Sequence, residues 1–179
     1  MIILGIDPGL ANTGWGLVEA SGNRFRCIAY GCITTPASAD TAKRLKDIHD
    51  AILAIVGQHA PAECAIESLY FNVNVKSAFA TGQARGVALL ATADAGLLVG
   101  EYGPGEVKLA VTGTGSADKK QVQYMVRAIL GLAEDPKPDH AADALALAIC
   151  HANSRVARAR VAAAAIDAAG SARGVGARR

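Results

Sequence analysis

Hydrophobic positions along this chain fall first in short unbroken runs, then at alternate positions, then at helical spacing, and each change of period marks an element. Ile2 to Asp7 is a mostly apolar run ending on a carboxylate, which predicts a short strand buried on both faces. Pro8-Gly9 turns the chain, and extended character resumes from Gly14 to Glu19. Ser21-Gly22-Asn23 reads as a hairpin turn before a third strand, Phe25 to Ile33, so the three form an antiparallel meander. From about Asp40 the period becomes helical, with Leu45, Ile48, Ile52, Ile55 and Val56 on one stripe. A fourth buried strand, Ala62 to Glu67, again ends on a carboxylate; a polar loop, Ser68 to Asn74, and an Ala/Gly-rich helix, about Val75 to Ala95, follow. Leu97 to Tyr102 is the fifth strand, and helices are expected over Glu106–Val111, Ala117–Gly131 and Asp139–Asn153. Three strands before the first helix imply an α/β fold with a five-stranded mixed sheet and helices on both faces.

Composition supports a folded domain: of 179 residues, 51% are apolar and 19% charged. No apolar run reaches the roughly 18 residues of a membrane span. Met1 to Ile6 has no basic flank and runs into Asp7, unlike a secretory signal. Cys27, Cys32, Cys64 and Cys150 lack metal-type spacing and are expected to be reduced, buried thiols in a cytoplasmic protein. Being five apart on one strand, Cys27 and Cys32 should face opposite sides. The net charge of +2 is uneven. Residues 152–179 hold six Arg against Asp167 alone, leaving 12 basic against 15 acidic residues in 1–151. We therefore expect a domain over 1–153 and a disordered basic Ala/Gly/Arg-rich tail over 154–179. That tail would serve either as a solvated terminus or as a loose polyanion tether.

Four positions suggest chemistry: Asp7, Glu67, His140 and Asp143. Asp7 and Glu67 end two buried strands; if these are neighbours, about 4.8 Å apart, both carboxylates emerge at one sheet edge. His140 and Asp143 are three apart at a helix start and share a face. Simpler roles exist: Asp7 opening a turn, Glu67 a surface acid, His140 a polar first-turn residue. Asp143 resists such a role, because it precedes the apolar run Ala144 to Ile149 and borders the core. Three converging acids repel one another unless cations lie among them, and an oxygen-rich site suits Mg²⁺.

These residues lie in motifs that resemble RuvC-type Holliday-junction resolvases. Ile3-Leu-Gly-Ile-Asp7-Pro-Gly-Leu-Ala-Asn-Thr-Gly14 is similar to that family's opening. Ala65-Ile-Glu67 with the aromatics after it, Gly82-Gln-Ala-Arg-Gly86 and His140-Ala-Ala-Asp-Ala-Leu-Ala146 follow in the family's order, over about residues 2–152. The resemblance implies an RNase H-like fold, a homodimer, and Mg²⁺-dependent paired symmetrical nicking of four-way DNA junctions in recombination and repair. It also implies a RuvA/RuvB branch-migration complex as partner. By motif position Asp7, Glu67, His140 and Asp143 match the family's acidic catalytic tetrad. Many relatives carry Asp where this chain has His140, which makes the adjacent Asp139 a rival. One residue on a helix turns a side chain by about 100°, so His140 keeps the place beside Asp143. An imidazole ligand shifts preference towards Mn²⁺.

Two metals roughly 4 Å apart would activate water and neutralise the leaving 3′ oxygen, giving 5′-phosphate and 3′-hydroxyl ends. Asp7, central in the sheet, would bridge them. Glu67 would hold the one nearer the leaving group, and Asp143 with His140 the one nearer the water. His140 could instead position or deprotonate that water. Tyr70 and Phe71, beside Asn72 and Asn74, sit three residues past Glu67, where aromatics can stack on an unpaired base or wedge the crossover open. The resemblance favours Tyr70. Lys108, Lys119 and Lys120 flank Gly113-Thr-Gly115 and could hold phosphates, with Lys76 and Arg85 beside them; the resemblance singles out Lys108 and Lys119. Small residues from Ala78 to Ala91 would let a second helix approach closely, as a two-fold dimer requires.

Three other functions compete with this one. An ATP-binding protein of the actin and sugar-kinase type also opens with a strand and an Asp-x-Gly loop, but it needs a second domain and a second phosphate loop. A non-catalytic junction-binding protein has no use for convergent acids. The third and closer rival is a different RNase H-like nuclease acting on RNA–DNA hybrids or stalled-transcription products.

Overall fold

The computed structural model describes residues 1–68 and 75–155. Three strands, β1 (Ile2–Asp7), β2 (Asn12–Ser21) and β3 (Arg24–Thr34), form the expected meander, with Gly22 at φ 60° in its tight turn. There follow α1 (Thr41–His59), β4 (Glu63–Glu67), α2 (Val75–Asp94), β5 (Leu98–Tyr102), α3 (Pro104–Thr112), α4 (Lys119–Leu130) and α5 over residues 139–155. The sheet order is β3-β2-β1-β4-β5; β1 runs antiparallel to β2 and parallel to β4, and β4 parallel to β5. This is the five-stranded mixed sheet that the strand pattern predicts, in the RNase H-like arrangement that the resemblance implies. No helix among the described residues is long and apolar enough to cross a membrane.

The central strand is apolar on both sides because both faces are covered. Leu4, Ile6, Leu17, Cys64 and Ile66 pack against Ile48 and Ile52 of α1 and against Ala84, Ala88 and Ala91 of α2. Ile3, Val18 and Ala65 face the other way, onto Leu145 and Ile149 of α5, beside Val107, Val122 and Val126 of α3 and α4. Helix limits follow local chemistry. Asp40 accepts from Lys43 N–H at 2.9 Å and begins α1. Pro104 begins α3 two residues earlier than its apolar pattern indicates, because proline fits the first helical position and Glu106 accepts from Gly103 N–H at 2.8 Å. Asp118 caps α4, which therefore starts at Lys119 rather than at Ala117.

All four cysteines are free; Cys64 and Cys150 are buried, whereas Cys27 and Cys32 are half-buried. The expectation that the latter two face opposite sides fails. A bulge sets Leu17 opposite Ala29 and Val18 opposite Cys27, leaving Ile28 as the extra residue. Cys27 therefore packs with the α5 side, and Cys32, opposite Gly14, is on that side as well.

The placement of α5 depends on side chains that are missing. A Cβ on Gly5 would overlap the Ala144 carbonyl, and one on Gly14 the His140 carbonyl. Their absence lets the helix backbone lie directly on β1 and β2, with Ala141, Ala144 and Ala148 fully buried beneath it. At the far end His151 Nε2–H donates to Glu63 at 2.6 Å, and Tyr102 O–H donates to His151 Nδ1 at 3.0 Å. Arg155 joins Glu63 at 3.0 Å, so α5 and its contacts run two residues past the helix end expected at Asn153. The expected tail from 156 onward lies outside the described residues.

Candidate active site

Parallel pairing of β1 with β4 matches Ile6 to Ile66, so Asp7 and Glu67 follow side by side at one border of the sheet. Asp7 is also opposite Gly14, the position on which the first turn of α5 rests. That contact brings His140 and Asp143 down to β1. His140 Nδ1–H donates to Asp7 Oδ2 at 2.6 Å. One ligand atom from each of Asp7, His140 and Asp143 lies within 4.8 Å of the others. Glu67 stands outside this triple, across a cavity of about 230 Å³ lined also by Asp143, Lys108 and Lys119.

Charge is poorly balanced here. Burial, with the charges of Asp7 and Asp143 added, pushes the Glu67 carboxyl up to about 7. Asp143 is raised for the same reasons, burial first and then Asp7, while Lys119 and His140 pull it back. Lys119 Nζ is 3.8 Å from Asp143 but 2.9 Å from Asp139, an exposed pair that leaves the interior acids under-compensated. Carboxylates that resist ionisation because they are buried, and then because they adjoin one another, are what a divalent cation relieves. The oxygen donors fit Mg²⁺ and the imidazole also admits Mn²⁺, so these four residues could hold such an ion.

Asp139 and His140 diverge as their helical offset requires. Asp139 points to Lys119 and accepts from Gln123 Nε2 at 3.0 Å, away from Asp7. Of the other predicted contacts, Lys108 and Lys119 line the acid cavity. Lys120 faces a separate groove with Thr112, Thr114 and Tyr124. Arg85 is turned inward: its Nε donates to the Glu67 carbonyl at 3.0 Å, and its Nη2 pairs with Glu101. Tyr70, Phe71, Asn72 and Asn74, and the Lys76 side chain, lie outside the described residues. The sequence reading missed the links from Arg85 to Glu67 and from Asp139 to Lys119. A lone arginine amid small residues was the available signal for the first; the second needs the α4–α5 packing.

Comparison with known proteins agrees with this geometry. Residues 3–151 match the family model described as crossover junction endodeoxyribonuclease RuvC. The chain is 55% identical over 154 residues to the protein of that name from Heliobacterium modesticaldum, covering 86% of this chain and 95% of the relative. It is similar, at 37% identity and TM-score 0.83, to Thermus thermophilus RuvC in complex with Holliday junction substrate, covering 87% of this chain and 94% of that one. The yeast mitochondrial Holliday junction resolvase Ydc2 shares the fold, at TM-score 0.59 and 10% identity over 84% of this chain and 78% of its own. On the strength of its matched motifs, its sheet and its clustered acids, the chain belongs to the crossover junction endodeoxyribonuclease RuvC family.

Proposed function

We propose that this chain resolves four-way DNA junctions by paired symmetrical nicks, hydrolysing phosphodiesters at a divalent-metal site to leave 5′-phosphate and 3′-hydroxyl ends. The observation that carries the proposal is the meeting of Asp7, His140 and Asp143 at the border of the sheet, with Glu67 on the adjacent strand end, in a member of this family. Asp7 would bridge two Mg²⁺ ions; Glu67 would hold the one nearer the leaving group, and Asp143 with His140 the one nearer the water. Once bound, such cations supply an activated water and neutralise charge on the departing 3′ oxygen. His140 orients Asp7 through its Nδ1–H, and it either completes the ligand set or takes the proton of the attacking water. Lys108 and Lys119, at the same cavity, hold the substrate phosphate. Tyr70, with Phe71, Asn72 and Asn74, contacts bases at the crossover, Lys120 holds a phosphate from its separate groove, and Lys76 holds another.

Two nicks require two sites. On α2, Ala84, Ala88 and Ala91 face inward, while Phe79, Gly86 and Leu90 form an exposed stripe with open space above Gly86. That face supports a homodimer packed helix to helix. Family membership supports a cytoplasmic location and partnership with a RuvA/RuvB branch-migration complex. The test is incubation with a synthetic four-way junction and Mg²⁺, followed by mapping of nicks on every strand. Paired symmetrical nicks bearing 5′-phosphates are expected; cutting of RNA–DNA hybrids with junctions left intact would overturn the proposal.

A further inference from the structure

Arg85 is the only charged residue on α2 between Gly82 and Thr92, and its side chain is only 17% exposed. Its Nε and Nη2 are committed to protein. Nε–H reaches the main-chain carbonyl of Glu67 at 3.0 Å, and Nη2 pairs with the Glu101 carboxylate. Across the same peptide, Ser68 N–H donates to the Tyr102 carbonyl at 2.9 Å. Glu101 and Tyr102 are the β5 partners of Ile66 and Glu67. The peptide after Glu67 is therefore clamped from two sides, by α2 through Arg85 and by β5 through its backbone.

Such a clamp is needed where it stands. β4 ends at Glu67, so no further ladder bond restrains the carbonyl there. A planar guanidinium can bond a carbonyl and a carboxylate at once in a fixed geometry, which an ammonium on a flexible stem does not reproduce. An error of about 1 Å in a reacting group can cost roughly a hundredfold in rate.

We propose that Arg85, oriented by Glu101, is a positioning residue for the nicking reaction: it fixes the Glu67 main chain and so aims that carboxylate into the Asp7–Asp143 cluster, instead of binding DNA phosphate. This rests on Glu67 being one of the metal-holding acids.

The test compares full-length Arg85→Gln, Arg85→Lys, Glu101→Gln and Glu67→Gln proteins with the parent. Three quantities are read: junction affinity across a salt series, single-turnover cleavage at saturating protein, and the Mg²⁺ concentration giving half-maximal rate. Arg85→Gln should slow cleavage or raise the Mg²⁺ requirement by about 10–100-fold, as loss of an outer-shell partner does, with excess Mg²⁺ restoring part of the rate. Its junction affinity and salt slope should match the parent. Arg85→Lys should not rescue, and Glu101→Gln should move the Mg²⁺ requirement the same way by less. Thermal melting accompanies each variant; if Arg85→Gln does not fold, Arg85→Lys and Glu101→Gln decide. Parental cleavage in these variants, or a salt slope reduced by about 0.9 with the rate intact, identifies a phosphate contact and overturns the inference. Parental cleavage by Glu67→Gln would remove the underlying reading of Glu67. An inactive Glu67→Gln beside normally cutting Arg85 variants would refute the positioning role alone.

Discussion

The crowded acids make a quantitative statement about metal-free stability. Glu67 titrates near 4.5 when unfolded and at about 7 in the fold. Below the lower value it is protonated in both states and costs nothing. Between the two, the folded form holds a proton that the unfolded form has released, so stability falls as pH rises; above 7 the whole penalty is present. At about 1.4 kcal/mol per pH unit the full rise corresponds to roughly 3 kcal/mol. The carboxyl is partly open to solvent, and screening reduces this to about 1–2 kcal/mol. Glu67→Gln replaces the carboxylate with a neutral group of the same shape. With chelator present it should therefore stabilise the protein by about 1–2 kcal/mol at pH 8, a gain of roughly 2–8 °C in melting temperature, and by almost nothing near pH 4.5. Urea unfolding followed by Trp15, the only tryptophan, measures both. Added Mg²⁺ should stabilise the parent more than the variant. A Gln variant no more stable than the parent at pH 8, or an effect equal at both pH values, would refute the electrostatic reasoning.

Other outcomes follow from the same geometry. Asp143→Asn should bind junctions like the parent in a gel-shift assay yet cut them more than 100-fold slower, a loss beyond the about 10–100-fold of an outer-shell partner. Gly5→Ala should destabilise by about 1–3 kcal/mol in urea and lower activity, because the added Cβ overlaps the Ala144 carbonyl and lifts α5 from β1; parental stability would contradict that packing. Lys119→Ala and Lys108→Ala should each reduce the salt slope of junction binding by about 0.9, the value for one phosphate contact. Loss of affinity without a change of slope would mean that these lysines do not touch the backbone.

Much of this architecture is legible in the residues themselves. Runs that are apolar on every position, such as Ile2 to Ile6, announce a strand covered on both faces, and a carboxylate at the end of such a run must lie at the sheet border. Helical spacing identifies each helix, although caps such as Asp118 and Pro104 set their ends more sharply than apolar periodicity does. What spacing cannot supply is register. The bulge at Ile28 turns half of β3 over and puts Cys27 and Cys32 on one face, against the simple alternation. Gly5 and Gly14 acquire their purpose only once Asp7 is known to pair with Gly14 and α5 to lie above them. Arg85 is the instructive case: a basic residue in a DNA-processing chain invites assignment to phosphate, yet its Nε and Nη2 are turned to Glu67 and Glu101. Side-chain direction is decided by packing between α2 and the β4–β5 pair, which no local pattern encodes.

The central claim concerns where cations bind, and anomalous scattering from Mn²⁺-soaked crystals reads it directly. Peaks bounded by Asp7, His140, Asp143 and Glu67, lost in the Asp7→Asn protein, are expected. Peaks absent from that border, or found instead at the Glu63–His151 end of the sheet, would contradict the account.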